Sequence, residues 1–439
     1  MISKSISLNS AYWTGLRENS ARFLVTTLLA LSILFPTVFQ LVKAAILLVA
    51  LVIILSGALI NQVPLSRRLY FFSCLYAFVG LTWSFYGEIR SNPGAMSMMT
   101  VMVLYPLLIP LCTSLYRERD SGSLYRIFLI CAWIIAITDL VYVLAYSTYI
   151  GDILQTFYNY LYSDWAVVDT NDVYTKFTLP NISSLIFLIP FFLSSLLFSE
   201  SRKVKSHSFF IVLLTLPVAA LSGRRALLVS MVVGPAIAII ITITRSHSRI
   251  KVKRASSWWW WSLIIAIAIS IWIYLAVYWV GLAYYTDQIN SIFDFKDNQS
   301  NLERAYQFHS MMRGIHDAPW FGHGAGAVAD YIRSNEMPWA YELYYISIMF
   351  QYGIVGFVLY AVGIIFLCWK LISSVREKGR SSFEFCLLSG FIAFLIANAT
   401  NPYLAKFDYM WIVFIPYAIV NLKLISGNSA RSVGLSRAH

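Results

Sequence analysis

One acid and four arginines are the side chains in this sequence whose types and positions could carry out a chemical reaction. Glu342 lies near the start of the apolar stretch YELYYISIMFQYGIVG. Arg224 and Arg225 lie in LSGRRALL, and Arg304 and Arg313 lie in NLERAYQFHSMMRG. A guanidinium group stays protonated and its fork of donors matches phosphate oxygens, whereas a carboxylate can act as a general base. These residues therefore predict a phosphate- or diphosphate-binding site that is served by one acid.

Each of these assignments has a structural alternative that the residues leave open. The arginines could snorkel to a membrane interface without binding a ligand. Glu342 follows Pro338, and an acid at the start of a helix is favoured by the helix dipole. If one helix face runs from Glu342 through Gly353, Gly356 and Gly363, a neighbouring helix can pack closely and leave the acid in a partly dry pocket. Glu342 is then either a base that takes a proton from a hydroxyl group or an acid that only begins a helix.

A glycine-rich turn follows the last of the arginines. After Arg313 the helical spacing ends at Asp317–Pro319, and Gly322, Gly324 and Gly326 come next. We predict that Gly322 and Gly324 form a loop, and glycines in such a loop allow backbone N–H groups to approach an anion. The spacing does not make a nucleotide-binding motif, because no strand is predicted before it.

The spacing of histidines and cysteines does not favour a metal site. His309, His316 and His323 repeat every seven residues, but only the first two could share a helix face. The five cysteines are scattered through apolar segments without a CxxC pair. We therefore expect neither a metal nor another cofactor, and we interpret the histidines as ordinary polar residues.

The composition places most of the chain in a membrane. Of the 439 residues, 59% are hydrophobic and only 12% are charged, against about 25% charged residues in soluble proteins. Apolar runs of the roughly 20 residues that are needed to cross a bilayer recur along the sequence. We predict an all-α polytopic integral membrane protein in which residues 1–439 form a single membrane domain. Its twelve spans are expected near residues 23–42, 44–60, 69–86, 97–115, 127–146, 179–199, 208–223, 226–244, 258–282, 341–369, 383–399 and 409–425.

The distribution of Lys and Arg predicts the orientation of these spans. Most of the 33 basic residues fall on one side if both termini are cytoplasmic. The net charge of +12 then reflects topology and contact with the anionic lipid bilayer, and we expect no nucleic-acid partner. Two long loops, residues 147–178 and 283–340, lie on the outer face. Both are rich in Tyr, Trp, Asp and Asn, as a carbohydrate-binding surface would be.

A second acid, Asp139, lies inside the fifth predicted span. Acids within a membrane usually face a cavity or a polar partner. The sequence does not identify the partner of Asp139.

These features resemble the O-antigen polymerase and ligase superfamily. LSGRRALL is similar to the family's (S/T)-G-x-R turn, with Arg225 as the motif arginine, and Arg313 to Gly324 matches an Arg-x10-Gly spacing of periplasmic loops in polymerases. The resemblance covers roughly residues 220–370 by motif and the rest by topology alone. Its further motif residues, in order, are Arg304, Pro319, Gly322, Gly324, a polar residue eleven positions before Gly353, and Gly356.

The resemblance implies a glycosyltransferase-C-like membrane enzyme of the bacterial inner membrane, with two large periplasmic loops, that takes part in lipopolysaccharide or other polysaccharide biosynthesis. Its donor and acceptor would be glycans linked to undecaprenyl diphosphate. Arg225 and Arg304, with Arg224 and Arg313, would bind the diphosphate, and Glu342 would accept a proton from the acceptor hydroxyl without a metal. A chain-length regulator and a flippase are the protein partners that the resemblance implies.

Three alternatives remain beside a repeat-unit polymerase, and one of them, a lipid-carrier glycosyltransferase with a catalytic acid in its first outer loop, rests on Glu88 in YGEIRSNPG. Ligases of the family, which transfer glycan to lipid A-core, carry His where this sequence has Glu342, and the next residue here is Leu343 rather than Asn, Ser or Gln. The departure favours the polymerase over the ligase. A polysaccharide flippase or other transporter is the alternative from another class, but the sequence shows no inverted repeat of the kind common in carriers.

Overall fold

The structure is a computed structural model that describes residues 2–59, 65–111, 117, 121–145, 149–162, 167–170, 175–222, 224–243, 299–379 and 382–436. This part of the chain is helical except for one short two-stranded hairpin, and the predicted all-α class is therefore confirmed. The predicted span 258–282 and the first part of the predicted loop 283–340 lie outside the described residues.

The described helices follow one another along the chain with short connections. They are α1 Ile2–Leu34, α2 Gln40–Leu59, α3 Arg67–Ile89, α4 Ala95–Met99, α5 Tyr105–Leu107, α6 Ser121–Ala145, α7 Tyr149–Tyr162, α8 Ile182–Phe198, α9 Arg202–Leu221, α10 Arg225–Ile243, α11 Gln299–Asp317, α12 Tyr344–Lys378, α13 Phe383–Asn398 and α14 Trp411–Ser436. Two 3-10 turns, Tyr403–Ala405 and Phe407–Tyr409, precede α14.

Four of these helices, α3, α6, α9 and α12, are long and apolar enough to cross a membrane. Further apolar helical segments of the described chain are shorter, among them those in α2, α8, α10, α13 and α14. The helices agree with a membrane protein. The count of twelve spans, the single membrane domain and the outer position of the two loops stay predictions.

The span predicted near residues 97–115 is not one regular helix. Helix α4 continues through a π-helical turn, Thr100–Leu104, into the short α5. Pro106 lies inside α5, and a proline has no N–H group to continue an α-helical hydrogen-bond ladder. A backbone that changes its hydrogen-bond pattern next to a proline is the expected result.

The chain divides into two compact units, and the first comprises Met1–Ile127, Gln307–Lys370 and Pro402–His439. In this unit α1 packs against α2, and α3 packs against the π-helical turn. A buried ion pair joins Lys43 of α2 to Asp408 of the second 3-10 turn, and the amide of Gln40 donates to the other carboxylate oxygen of Asp408 at 2.8 Å. The backbone N–H of Ser66 donates to the side chain of Asn421 at 2.7 Å and so ties the start of α3 to α14.

The second unit comprises Phe128–Tyr306 and Leu371–Asn401. Its centre is α8, which is buried along almost its whole length and packs against α9, α10 and α13. Close packing between α10 and α13 needs a small residue, because a Cβ atom on Gly234 would lie 2.5 Å from the Cβ of Ala393.

The predicted loop 147–178 carries secondary structure of its own. Helix α7 is followed by strands β1 (Val167–Thr170) and β2 (Thr175–Thr178), which pair antiparallel with Val167 opposite Thr178. The ring of Tyr142 on α6 packs against the rings of Tyr158 on α7 and Phe177 on β2. These aromatic contacts hold α7 and the hairpin on α6.

Candidate functional site

Glu342 lies two residues before α12, at the end of the segment that follows α11. Its backbone N–H donates to Oε1 of Gln307 on α11 at 2.9 Å, and its carbonyl oxygen accepts from the N–H of Tyr344 at 2.9 Å. The prediction that Glu342 lies on the face of one continuous helix is therefore wrong, since α12 begins only at Tyr344. Because Glu342 lies just before the helix, the segment between α11 and α12 positions its side chain.

The carboxylate of Glu342 forms an ion pair with Arg333. Nη2 of Arg333 lies 2.7 Å from Oε1 of Glu342, and the two side chains are 41% and 14% exposed respectively. A charge-assisted hydrogen bond of this length fixes the orientation of the carboxylate. Arg333 was missed by sequence reasoning, because it stands outside the recognised motifs and nothing in its spacing relates it to Glu342.

The segment that carries Arg333 is held on α11 by a small apolar core. Met311 and Ile315 of α11 pack with Ala327, Ala329 and Tyr341 of the segment and with Phe350 of α12.

Two hydrogen bonds hold the backbone of the same segment. The hydroxyl of Tyr341 accepts the N–H of Ala329 at 2.6 Å, and Oγ of Ser310 accepts the N–H of Tyr331 at 2.9 Å. Burial raises the pKa of Tyr341, so its phenol stays the neutral acceptor. The backbone just before Arg333 is thus held at two positions.

Arg313 also has a carboxylate neighbour. Its Nη2 atom lies 3.2 Å from Oδ2 of Asp330, and both side chains are largely exposed. An exposed pair of this kind contributes little to stability. A phosphate group could therefore replace Asp330 as the partner of Arg313 at small energetic cost.

The glycine-rich turn inserts into a break in α12. Gly353 has φ 65° and ψ −176°, which interrupts the helix. Four backbone hydrogen bonds of 2.8 to 3.1 Å then join the broken helix to the turn. The N–H groups of His323 and Gly324 donate to the carbonyls of Phe350 and Gln351. In the other direction, the N–H groups of Ile354 and Val355 donate to the carbonyls of Pro319 and Trp320.

Glycine is required at both sides of this insertion. Gly324 has φ 90°, and a Cβ atom there would lie 2.7 Å from Cα of Gly87 on α3. A Cβ atom on Gly353 would overlap the carbonyl of Trp320, and one on Gly322 would lie 2.5 Å from the backbone nitrogen of Gly353. The motif glycines therefore allow three backbone segments to approach more closely than side chains permit.

The N–H groups of the turn are used by the protein itself. Those of Gly322, His323, Gly324 and Ala325 donate to backbone carbonyls, and that of Gly326 donates to Oε1 of Gln351 at 3.0 Å. The suggestion that this turn brings N–H groups to an anion is therefore wrong. Its role in the structure is to hold the C-terminal end of α11 against α12.

In the second unit, Arg224 lies in the turn between α9 and α10. Its Nη2 atom donates to the carbonyl of Leu179 at 3.2 Å, and its backbone N–H donates to Oγ of Ser222 at 3.2 Å. Arg225 is the first residue of α10, and its side chain lies outside the described part of the structure.

Asp139 has the partners that the sequence did not identify. Its Oδ1 atom accepts from Nδ2 of Asn181 at 2.7 Å, from the hydroxyl of Tyr158 at 3.0 Å and more weakly from Thr138 at 3.4 Å. Asn181 directly precedes α8 and stands two residues after Leu179, the acceptor of Arg224.

The five predicted residues fall into different parts of the chain. Arg224, Arg225 and Arg304 belong to the second unit, and Arg313 and Glu342 belong to the first. Arg304 is half-buried on α11. Their assignment to one diphosphate site stays a prediction.

The histidines of the predicted outer loop have structural roles or lie on the surface. Nε2 of His323 contacts the carbonyl of Gly314 at 2.8 Å, and its ring packs on Phe350. His309 and His316 are exposed. Among the residues that the structure describes, no group of three or more His, Cys, Asp or Glu side chains could hold a metal ion.

Comparison with protein families gives a match. A family model described as O-antigen ligase matches residues 209–361, a range that contains the four arginines, the glycine-rich turn, Arg333 and Glu342. No curated protein matches the chain. The match over residues 209–361 confirms the resemblance to the O-antigen polymerase and ligase superfamily.

Proposed function

We propose that the protein is a glycosyltransferase that polymerises oligosaccharide repeat units, carried on undecaprenyl diphosphate, into O-antigen or a related surface polysaccharide. The reaction would take place at the periplasmic face of the inner membrane. The family match supports O-antigen polymerase or ligase activity. The observation that carries the proposal is the ion pair of the largely buried Glu342 with Arg333 inside the matched segment.

The proposed step is a displacement at the anomeric carbon of the donor glycan. The hydroxyl oxygen of the acceptor repeat unit attacks that carbon, and the bond from the carbon to the diphosphate oxygen breaks. Undecaprenyl diphosphate leaves with the electron pair, and Glu342 takes the proton of the attacking hydroxyl. The products are a glycan that is longer by one repeat unit and the released undecaprenyl diphosphate.

Charge that builds on the leaving diphosphate needs stabilisation. Arg225 and Arg304, with Arg224 and Arg313, are the proposed donors, because guanidinium groups bind phosphate oxygens in pairs and stay charged. With positive charge supplied in this way, the step requires no metal. Arg333 acts on the other reactant, since its contact with Oε1 orients the carboxylate that receives the proton.

The ligase is the second candidate, because the matching family model is described as O-antigen ligase. Against it stands Glu342 itself, which occupies the position at which the resemblance places the ligase histidine. Neither the structure nor the family match supports the transporter alternative.

The test compares Glu342→Gln and Arg304→Ala in a strain that lacks the native gene, with surface glycan separated on a gel and protein levels measured. A polymerase should lose its ladder in both variants and leave a single repeat unit attached to lipid. Glu336→Gln removes an exposed acid from the same segment and should keep the full ladder.

Two other outcomes decide against the proposal. A normal long ladder in both variants would show that the proposed site is wrong. Loss of all attached glycan, including the single unit, would identify a ligase.

A further inference from the structure

A buried carboxyl group and a buried carboxamide face each other in the second unit. Asp139 on α6 is 0% exposed and Asn181 is 3% exposed. Nδ2 of Asn181 donates to Oδ1 of Asp139 at 2.7 Å. This contact leaves one oxygen on each group to be accounted for, Oδ2 of Asp139 and Oδ1 of Asn181.

Both remaining oxygens are buried, and neither has a hydrogen-bond partner among the described residues. An ionised carboxylate with one buried and unpaired oxygen is costly. A carboxylic acid and a carboxamide can instead pair through two hydrogen bonds, N–H to O and O–H to O. A single hydrogen on Oδ2 of Asp139 would satisfy both oxygens at once.

The described hydrogen-bond partners of Asp139 carry no charge. The groups that face Asp139 are the amide of Asn181 and the hydroxyls of Tyr158 and Thr138, which are all neutral. Aromatic rings of Tyr142, Tyr158 and Phe177 pack together beside it. The site therefore offers hydrogen bonds to Asp139 and no described cation.

The pair is linked to Arg224 through the first turn of α8. The carbonyl of Leu179, two residues before Asn181, accepts from the guanidinium of Arg224 at 3.2 Å. The same carbonyl accepts from the N–H of Ile182 at 3.3 Å. Any shift of Asn181 therefore moves the acceptor that holds Arg224.

We propose that Asp139 is a positioning residue that acts as a neutral carboxylic acid. It pairs with Asn181, fixes the first turn of α8 and thereby orients Arg224 toward a diphosphate group. The role assigned to Arg224 rests on the proposed function. The neutral pairing of Asp139 with Asn181 does not.

The activity test compares Asp139→Asn with Asp139→Leu in the full-length protein. Asparagine can donate from its amide to Oδ1 of Asn181 and accept from Nδ2, so this variant should keep the wild-type rate and glycan ladder. Leucine can do neither, and we expect a rise on the order of tenfold in KM for the lipid-diphosphate donor with a smaller change in kcat.

The same test can overturn the proposal. Equal loss in both variants would show that the negative charge of Asp139 is needed, for example for a bound cation. Wild-type kinetics in Asp139→Leu would show that the pair does not position Arg224. In the double variant Asp139→Leu with Arg224→Ala, the rise in KM should not exceed that of Arg224→Ala alone.

Infrared spectroscopy tests the pair without any assay of activity. The purified wild-type protein in D2O should show a band of a protonated carboxyl group that is missing in Asp139→Asn. Absence of that difference would overturn the neutral pairing even if glycan polymerisation is confirmed. If the band is present in a protein that has no glycosyl transfer activity, the proposed function is wrong, whereas the neutral pairing of Asp139 with Asn181 still holds.

Discussion

At the scale of single residues, the contact between Glu342 and Arg333 shapes the candidate site most directly. The arginine lies within hydrogen-bond distance of the carboxylate that stands at the polar motif position of the resemblance. It approaches from a segment whose backbone is held by Tyr341 and Ser310. A base that must meet an incoming hydroxyl benefits from being held in one orientation.

Replacement of Arg333 by Ala should therefore reduce polymerisation without unfolding the protein. We expect up to about a hundredfold lower rate, since a displaced catalytic group can lose that much. A partly exposed ion pair contributes at most about 1 kcal/mol to stability, so the protein level should stay normal. Glycan ladders and a transfer assay with purified protein measure the effect.

Arg333→Lys is the matched control, because it keeps the charge but loses the planar fork. Its rate should lie between those of Arg333→Ala and the wild type. A wild-type rate in Arg333→Ala would remove Arg333 from the site.

At the scale of elements, the break in α12 decides where the glycine-rich turn can dock. The left-handed backbone conformation of Gly353 interrupts the hydrogen bonds of the helix. The backbone groups on either side of the break instead form four hydrogen bonds with the glycine-rich turn. The glycine-rich turn also fixes the end of α11, and Gln307 of this helix accepts a hydrogen bond from the backbone N–H of Glu342. The break at Gly353 thus helps to position Glu342, which lies eleven residues earlier in the sequence.

Gly353→Ala should disturb this arrangement strongly. Its Cβ atom would overlap the carbonyl of Trp320 in addition to the strain of a positive φ. Gly379 is a matched control, since it has φ 87° and a Cβ atom added there would meet nothing within 4 Å. We expect Gly379→Ala to cost about 1–2 kcal/mol and Gly353→Ala clearly more.

Thermal unfolding of the purified variants in detergent compares these two costs. Equal midpoints would mean that the collision with Trp320 is relieved easily, and that the turn does not depend on Gly353. Loss of the glycan ladder in Gly353→Ala alone would agree with its role in placing the site.

The buried ion pair of Lys43 and Asp408 offers a second test at this scale. It joins α2 to the turn before α14, and the Lys43 ammonium also donates to the carbonyl of Phe35 at 2.6 Å. Removal of one partner leaves a buried charge, at a cost of about 3–5 kcal/mol, whereas removal of both is often tolerated. We expect Lys43→Met and Asp408→Leu each to lower the unfolding temperature more than the double variant does. A double variant less stable than either single one would contradict this.

At the scale of the whole molecule, the predicted orientation assigns α7 and the hairpin to the outer face and the start of α9 to the cytoplasm. Asp152 of α7 and Lys203 of α9 are both exposed. In a variant without native cysteines, a cysteine at position 152 should react with a membrane-impermeant thiol reagent added to intact cells. A cysteine at position 203 should react only after the membrane is opened. The reverse pattern would invert the predicted topology.

The membrane character, the helical class and the resemblance to the O-antigen polymerase and ligase superfamily can be read from the sequence alone. Hydropathy and composition are properties of short windows, so runs such as residues 182–198 are recognisable without their neighbours. The motif arginines and glycines are recognisable because their order along the chain is itself the signal. Glu342 was proposed in this way, as the polar residue eleven positions before Gly353.

The contacts of these residues are visible only in the folded structure. Arg333 reaches Glu342, Asn181 reaches Asp139, and the N–H groups of the glycine turn reach α3 and α12 rather than an anion. Each contact joins residues that come together through the packing of helices, and no local pattern encodes it. The sequence predicted the candidate residues, and the packing of the helices set their partners, because hydrogen bonds and ion pairs depend on distances that only the folded chain sets.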